Sequence, residues 1–584
     1  MTKSGTISGV EQVKTTGRQL RGTIAETLSG GGAEPFSTGD DALLEFHGIY
    51  QGIGQDIEGG AGAGAGAGAD GNPTRLLTVR VRVPAGRLTP GQYLALDDLA
   101  GRYANGVMRL TSRQSLQFYG VARAKLRPLI TDIYQSLLTT LGAGGDVVRN
   151  IMANPVPFKD PVHTRIQEDA RRLSKLFRPR TRAYREIWLD APKLPFSTET
   201  EIEPVYGPTY LPQKFKIALA TPDDNSVDVF AQDLGIIALF EDDRLLGYNF
   251  VMGGGMGHYI GKHGITVPRL AVPVCFIDPD DLLPAVAATV ALFRDHGDRI
   301  NRNHARFKVL IHEHGPTWAK TRLEESLGHP LAEPHSLPPM QVPDLIGWHA
   351  QGDGKWFLGV PVIGGLIADD EAHKLRTGLR VVIDKYWPTI VLTPNKDILL
   401  GDLPAGRKAA VDADLRRNGV RLADDLISLE RSALACPSFP TCGHAVAEAE
   451  RAAPVLIDAV AEAMAEFGLG RERLSLRISG CGNGCARPFL GDIGLIGREL
   501  GSYQLLVGGN GVGTRLNWPL LNMVRPEELT KVLLPLFALY AAERQPGERF
   551  GTFCDRVGPQ RLRELAEAER LRELAETTET TTPV

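Results

Sequence analysis

Four cysteines in the C-terminal third are spaced so that their sulfurs could bind iron or zinc: Cys436-x5-Cys442, then Cys481-x3-Cys485. Deprotonated thiols ligate both iron–sulfur clusters and structural zinc. The first pair sits in Ala435-Cys436-Pro437-Ser438-Phe439-Pro440-Thr441-Cys442-Gly443, where two prolines deny a helix and predict a shaped loop. An Ala- and Glu-rich helix is expected to follow from about His444. The second pair sits in Ser479-Gly480-Cys481-Gly482-Asn483-Gly484-Cys485, after an alternating stretch from Leu474 to Ile478 that reads as a strand. Its glycines let backbone amides approach sulfur, and such hydrogen bonds tune a cluster's potential. Zinc knuckles usually pair cysteines about two to four residues apart. The wider first spacing and the glycine setting therefore favour an iron–sulfur cluster, with zinc and four unrelated core cysteines as the alternatives. Cys275, in the apolar run Val272-Pro273-Val274-Cys275-Phe276, reads as core, and Cys554 has no partner motif.

The second set of candidates is basic. Thr78-Val79-Arg80-Val81-Arg82-Val83 alternates strictly, so a strand places the valines on one face and Arg80 and Arg82 on the other. Leu211-Pro212-Gln213-Lys214-Phe215-Lys216-Ile217 does the same with Lys214 and Lys216. Arg113 lies in Leu110-Thr111-Ser112-Arg113-Gln114, Arg149 in Val148-Arg149-Asn150, and Arg299, Arg302, Arg306 and Lys308 form a further group. Any one such pair is most simply a solvated face. Several of them in a chain of net charge −4 also suit a pocket for a polyanionic cofactor and a small oxyanion. Arginine meets oxyanions through its planar fork, and lysine adds a compact charge and a transferable proton.

These residues need several elements to hold them. At 584 residues the chain suggests roughly three or four domains, and 43% hydrophobic with 23% charged residues is ordinary globular composition. The near balance of 65 Lys and Arg against 69 Asp and Glu argues against a general nucleic-acid binder. No apolar run approaches the length of a membrane span, and Met1 to Gln12 lacks the apolar core of a secretion signal. Six cysteines are too few for a disulfide scaffold, so a reducing, cytoplasmic setting is expected. Gly59 to Gly71 is an Ala–Gly run read as a flexible insert, Arg561 to Glu576 reads as a charged, solvated terminal helix, and Thr577 to Val584 as a disordered tail. Between them runs a duplication. Val83-Pro84 through Leu110-Thr111 matches Val360-Pro361 through Leu392-Thr393, each reading strand, turn, helix, strand. Tyr248 to Gly254 likewise echoes Tyr503 to Gly509. Two related halves would build a pseudo-symmetric cleft suited to a large cofactor.

Taken together, these segments resemble the siroheme and [4Fe–4S] sulfite/nitrite reductase family. The similarity runs from Leu20-Arg21-Gly22-Thr23-Ile24-Ala25-Glu26 and Phe46-His47-Gly48-Ile49-Tyr50-Gln51 to about Phe553. It includes Arg109 to Gln114, Thr181-Arg182-Ala183-Tyr184, Thr209 to Lys216, Gly253-Gly254-Gly255 and the four-cysteine signature. The resemblance implies an α/β (α+β) fold with pseudo-two-fold duplication: ferredoxin-like halves and two larger α/β domains around a central siroheme cleft. It divides the chain into an arm with the insert (1–74), a first ferredoxin-like half (75–150), a first siroheme-binding α/β domain (151–335), a second half (336–425), a second α/β domain with the cysteines (426–560), and a charged helix and tail (561–584).

The resemblance further implies that Cys436, Cys442, Cys481 and Cys485 ligate the cluster, and that Cys485 bridges it to siroheme iron. Arg80, Arg149, Lys214 and Lys216 match the substrate-binding cations. Arg113 matches an arginine near the siroheme carboxylates, and Arg306, Asn483 and the Gly508-Gly509-Asn510 loop are grouped with the cofactor contacts. The implied activity is the six-electron reduction of sulfite to sulfide. The alternative is ferredoxin-dependent reduction of nitrite to ammonia, whose enzymes commonly carry a non-basic residue at the place of Lys216. Gln213 departs from the family's usual arginine, which puts one siroheme carboxylate partner in doubt. Gly253-Gly254-Gly255-Met256-Gly257 lacks the acidic residue of a dinucleotide fingerprint. Electrons are thus expected from a separate protein, a ferredoxin or an NADPH-dependent flavoprotein.

Overall fold

The computed structural model describes residues 7–30, 36–51, 76–189, 203–261 and 264–568. The Gly59–Gly71 insert and the Thr577–Val584 tail lie outside these residues. The chain divides into two compact units, one of residues 1–255, 260–266 and 271–422, the other of 256–259, 267–270 and 423–584.

The first unit contains the two matching segments seen in the sequence. Leu77–Val81, a turn at Pro84–Gly86, the helix Pro90–Tyr103, and the strands Met108–Thr111 and Ser115–Val121 make one half. Lys355–Val360, a turn at Ile363–Gly365, the helix Leu375–Tyr386, and the strands Thr389–Leu392 and Ile398–Pro404 make the other. The first helix begins at a capping box, with Thr89 accepting from the Gln92 N–H and Gln92 reaching back to Thr89. Each half lends a short strand to the other. Leu366–Ile367 pairs antiparallel with Met108 and Arg109, and Arg87–Leu88 pairs with Ile390 and Val391. The buried carboxylate of Asp97 on the first helix accepts from Arg376 Nε at 2.5 Å and Arg380 Nη1 at 2.6 Å on the second. The halves are therefore interlocked through both backbone and charge.

The first unit's remaining five-stranded sheet runs Met152–Ala153, Ile217–Ala220, Leu234–Glu241, Arg244–Met252, Val272–Ile277 in spatial order, with two parallel pairings followed by two antiparallel ones. The second unit repeats this order with Leu434–Ala435, Leu476–Ser479, Ile493–Glu499, Ser502–Val507 and Trp518–Val524. Leu234 lies opposite Met252, and Ile493 opposite Val507, so Tyr248–Gly254 and Tyr503–Gly509 occupy equivalent registers. The central parallel strands are buried on both faces, as such strands usually are: Ile217–Ala220 is wholly apolar, whereas Leu476–Ser479 buries Arg477 and Ser479 beside Leu476 and Ile478. This is the duplicated α/β architecture that the sequence predicts.

Two expectations need correction. The helix after Cys442 does not start near His444 but spans Ala453–Ala465, opening with Pro454 in its first turn. The backbone N–H groups of Val446 and Ala447 instead donate to the Gly480 carbonyl at 3.0 and 3.1 Å, which ties this stretch to the second cysteine loop. The terminal repeat is helical over 559–568, but it is not simply solvated. Leu562 and Ala566, four residues apart, form a buried stripe in the second unit's core.

Candidate functional site

In the first unit the candidate cations fall into two groups. Arg80 projects from Leu77–Val81, whose Val79 and Val81 are buried in the core as the alternation predicts. Its guanidinium lies 4.8 Å from the Tyr50 ring centre, and Nη1 donates to the Tyr50 hydroxyl at 3.2 Å. Arg149 Nη1 donates to the same hydroxyl at 3.1 Å, while its Nε is held by the Gly145 carbonyl at 2.8 Å. A Cβ at position 144 would stand 2.2 Å from the Tyr50 oxygen, so Gly144 is what lets the phenol reach both arginines. Arg82, two residues further on, is buried and tied to Ser174 on the helix Pro161–Leu176.

The second group centres on the strand entering at Phe215. Val148 and Phe215 pair in parallel, with the Phe215 N–H on the Val147 carbonyl and the Arg149 N–H on the Phe215 carbonyl. Phe215 is fully buried, so the flanking Lys214 and Lys216 share the opposite side, next to the Arg149 register. The Asp233 carboxylate accepts from the Lys216 backbone N–H at 3.0 Å and from Arg306 Nη2 at 3.0 and 3.1 Å. Arg113 reaches Gln232 Oε1 at 2.9 Å and the Asn150 and Ile217 carbonyls at 2.9 and 3.2 Å. Lys216 keeps part of its surface open but lies deep in the unit. Burial first, and then Arg113, Arg306 and Lys214, hold its pKa well below the ordinary lysine value, opposed by Asp233. Gln213 donates to the Arg302 carbonyl at 2.9 Å, and Arg302 itself grips Asp146 with both Nη atoms. Arg299 pairs with Glu11. Those two arginines are structural ties of the N-terminal arm and its neighbours.

In the second unit the cysteines leave the carboxyl ends of the parallel strands, the usual place for ligands in α/β sheets. Cys436 follows Leu434–Ala435, and its sulfur accepts the Gly480 N–H at 3.4 Å. Cys481 follows Leu476–Ser479. Burial pushes its thiol up to about 11, and the neighbouring Cys485 and Cys442 push the same way, while the Asn483 backbone and side chain hydrogen-bond to it in opposition. Glycines make the packing possible. A Cβ at Gly480 would fall 1.5 Å from Ser438 Oγ, one at Gly482 would fall 2.2 Å from the His258 carbonyl, and one at Gly484 would fall 2.7 Å from that of Met256. Among the described residues no three His, Cys, Asp or Glu side chains are gathered as one metal ion would require. A four-iron cluster instead offers each thiolate its own corner, and four cysteines on two interlocked loops, with amides aimed at sulfur, suit that group. Cys275 and Cys554 are buried. Gly508 and Gly509 lie against Trp518 and the Gly491 carbonyl, and the Asn510 amide bonds Thr514 within its own loop.

The model of the nitrite and sulphite reductase 4Fe-4S domain matches residues 168–331 and 428–573. The chain belongs to the nitrite and sulphite reductase family. The model of this family's ferredoxin-like half domain also matches, over residues 70–135. Among relatives, the chain is 39% identical to "Sulfite reductase [ferredoxin]" of Synechococcus elongatus over 583 residues, covering 96% of this chain and 91% of that one. It is 40% identical to "Sulfite reductase [NADPH] hemoprotein beta-component" of Geobacillus kaustophilus, covering 95% and 96%. To the protein of the same description from Myxococcus xanthus it is also 40% identical, covering 94% and 97%. The solved structure of Mycobacterium tuberculosis NirA protein aligns with a TM-score of 0.76 at 21% identity, covering 95% of this chain and 97% of that one, which is a likeness of fold.

Sequence reading missed Asp233 and Tyr50, because single acidic and aromatic residues carry no spacing signal. An internal signal for Asp233 did exist. Asp233-Leu234-Gly235-Ile236 and Asp492-Ile493-Gly494-Leu495 open equivalent strands. Asp492 accepts from the Ser475 N–H at 2.9 Å and Arg549 Nη2 at 3.0 Å, as Asp233 does from Lys216 and Arg306.

Proposed function

We propose that this chain is a sulfite reductase hemoprotein, which reduces sulfite to sulfide with six electrons delivered by a separate donor protein. The observation that carries this reading is the pair Lys214 and Lys216 set beside Arg149 in one unit, with the four-cysteine loops in the other. Cys436, Cys442, Cys481 and Cys485 would hold the [4Fe–4S] cluster, with Cys485 shared with siroheme. Arg113, Arg306, Asn483, Gly508, Gly509 and Asn510 would contact the siroheme. When bound, these groups supply one-electron transfers and an iron that coordinates sulfur.

The chain's own residues do the rest. Arg80 and Arg149 offer planar forks to an oxyanion, and their shared hydrogen bonds to Tyr50 fix both in place. Lys214 and Lys216 add charge that draws sulfite in and polarises its S–O bonds. With its pKa depressed, the Lys216 Nζ releases a proton readily, which suits delivery to an oxygen departing as water. We place the sequence segments 75–150 and 336–425 as the ferredoxin-like halves, 151–335 and 426–560 as the α/β domains, 1–74 as the arm and 561–584 as the tail. The six cysteines form no disulfide and no described helix is long and apolar enough to cross a membrane, which supports a cytoplasmic placement.

Steady-state kcat/KM of the cofactor-loaded protein with reduced methyl viologen tests the reading. A clear preference for sulfite is expected. A strong preference for nitrite would replace it with nitrite reduction, and a colourless protein after loading would end it. Turnover with reduced ferredoxin against NADPH plus its flavoprotein identifies the donor.

A further inference from the structure

Asp233 is the acid in a cluster otherwise made of cations. Its side chain is fully buried, and both oxygens are used: one takes the Lys216 backbone N–H, and Arg306 Nη2 lies within 3.1 Å of each. It sits at the amino end of Leu234–Glu241, next to the parallel strand that Lys216 leads into. The Leu234 N–H closes the ladder onto the Lys216 carbonyl at 3.1 Å, so Lys216 is gripped on both its backbone N–H and C=O. On its other side the Asp233 carbonyl accepts the Gly253 N–H at 2.9 Å. Position 233 thus fixes where Lys216 emerges and where Arg306 points, from a place no substrate-sized anion needs to touch.

From this geometry we infer that Asp233 is a positioning residue for sulfite reduction, setting the place of Lys216 and Arg306 and the net charge of the cation cluster. The inference rests on the sulfite reductase reading and extends it to an acidic residue behind the cations. A carboxylate near an anion site would repel substrate if exposed. Buried behind two cations, it limits their mutual repulsion and keeps Lys216 protonated over a wider range. The charged groups that face Lys216 are Arg113, Arg306, Lys214 and Asp233, so removing Asp233 leaves cations alone. The Lys216 pKa then falls further, and the alkaline limb of sulfite kcat/KM moves to lower pH.

The test uses the cofactor-loaded enzyme and two readouts: the pH profile of kcat/KM, and sulfite affinity from the siroheme absorption band. For Asp233→Asn the alkaline limb is expected to move down by about one pH unit. Sulfite is expected to bind roughly tenfold more weakly at alkaline pH, with a smaller change in kcat at saturation. Asp233→Glu, which keeps the charge, returns the limb toward that of the unaltered enzyme. Arg306→Gln removes a cation and is expected to move the limb the opposite way, so it decides the matter if Asp233→Asn fails to load siroheme. A limb and an affinity that stay put in Asp233→Asn, or in Arg306→Gln where that variant decides, overturn the inference. Failure of the unaltered enzyme to reduce sulfite overturns the functional reading instead.

Discussion

The two mixed sheets, Met152–Ile277 in the first unit and Leu434–Val524 in the second, share strand order, pairing sense and a buried aspartate, yet their candidate residues stand at opposite strand ends. In the first unit the candidate side chains gather at the amino ends of the parallel strands, where Arg149 precedes Met152, Lys216 precedes Ile217, and Asp233 precedes Leu234. In the second unit the cysteines leave the carboxyl ends, after Ala435 and Ser479. The matching positions are quiet in each case. Ser475 stands where Lys216 does and spends its hydroxyl on Asp492. At the carboxyl end of the first sheet, Asn154 bonds Thr221 and the Asp224 carbonyl. The difference teaches that the aspartate and its backbone partner belong to the scaffold, while one changed side chain at either strand end decides what a repeat can do.

The comparison breaks most visibly at the thiols. Cys485→Ser is expected to abolish sulfide production and to remove or alter the cluster, read from iron and labile sulfide content together with turnover. Next comes the lysine–serine contrast. Lys216→Gln should lower sulfite kcat/KM by about 2–4 kcal/mol of barrier. Ser475→Ala at the equivalent place should leave kcat/KM nearly unchanged and lower unfolding stability by about 1 kcal/mol, measured by denaturant titration.

Acid should also separate the units. His47, fully buried, is bonded to the Leu20 carbonyl and the Trp188 indole, and burial lowers its pKa from 6.5 to about 4. The unfolded chain takes up this proton first, so the stability His47 contributes is intact above pH 6.5 and is lost as the pH falls toward 4. The loss amounts to about 3 kcal/mol when complete. Hydrogen exchange at residues 46–50 should accelerate over that range, and His47→Gln should flatten the dependence. A modest effect is expected from Tyr50→Phe. Losing the hydroxyl shared by Arg80 and Arg149 should raise the sulfite KM by a few-fold, equivalent to about 0.5–1.5 kcal/mol.

Much of this was legible in the chain itself. Val83-Pro84 and Val360-Pro361 marked the interlocked halves because turns and strand starts depend on local residue type. The cysteine loops were legible because spacing and glycines both speak to sulfur. The helix expected at His444 was not there, since composition registers Ala and Glu but not the capture of Val446 and Ala447 by the Gly480 carbonyl. The terminal helix reads as solvated because its charges outnumber the Leu562 and Ala566 stripe that holds it down. Asp233 and Tyr50 stayed hidden because their partners, Lys216, Arg306, Arg80 and Arg149, come from distant segments that only the fold brings near.

The lent strands set a condition on how this chain can be made. Met108–Thr111 waits for Leu366–Ile367, which a ribosome reaches only after tens of seconds of further synthesis. Throughout that interval the first half has an unfilled sheet edge, the kind of surface that recruits stray chains. Neither half would therefore be expected to survive expression on its own, and splitting the gene between them should yield aggregates unless both fragments are produced together.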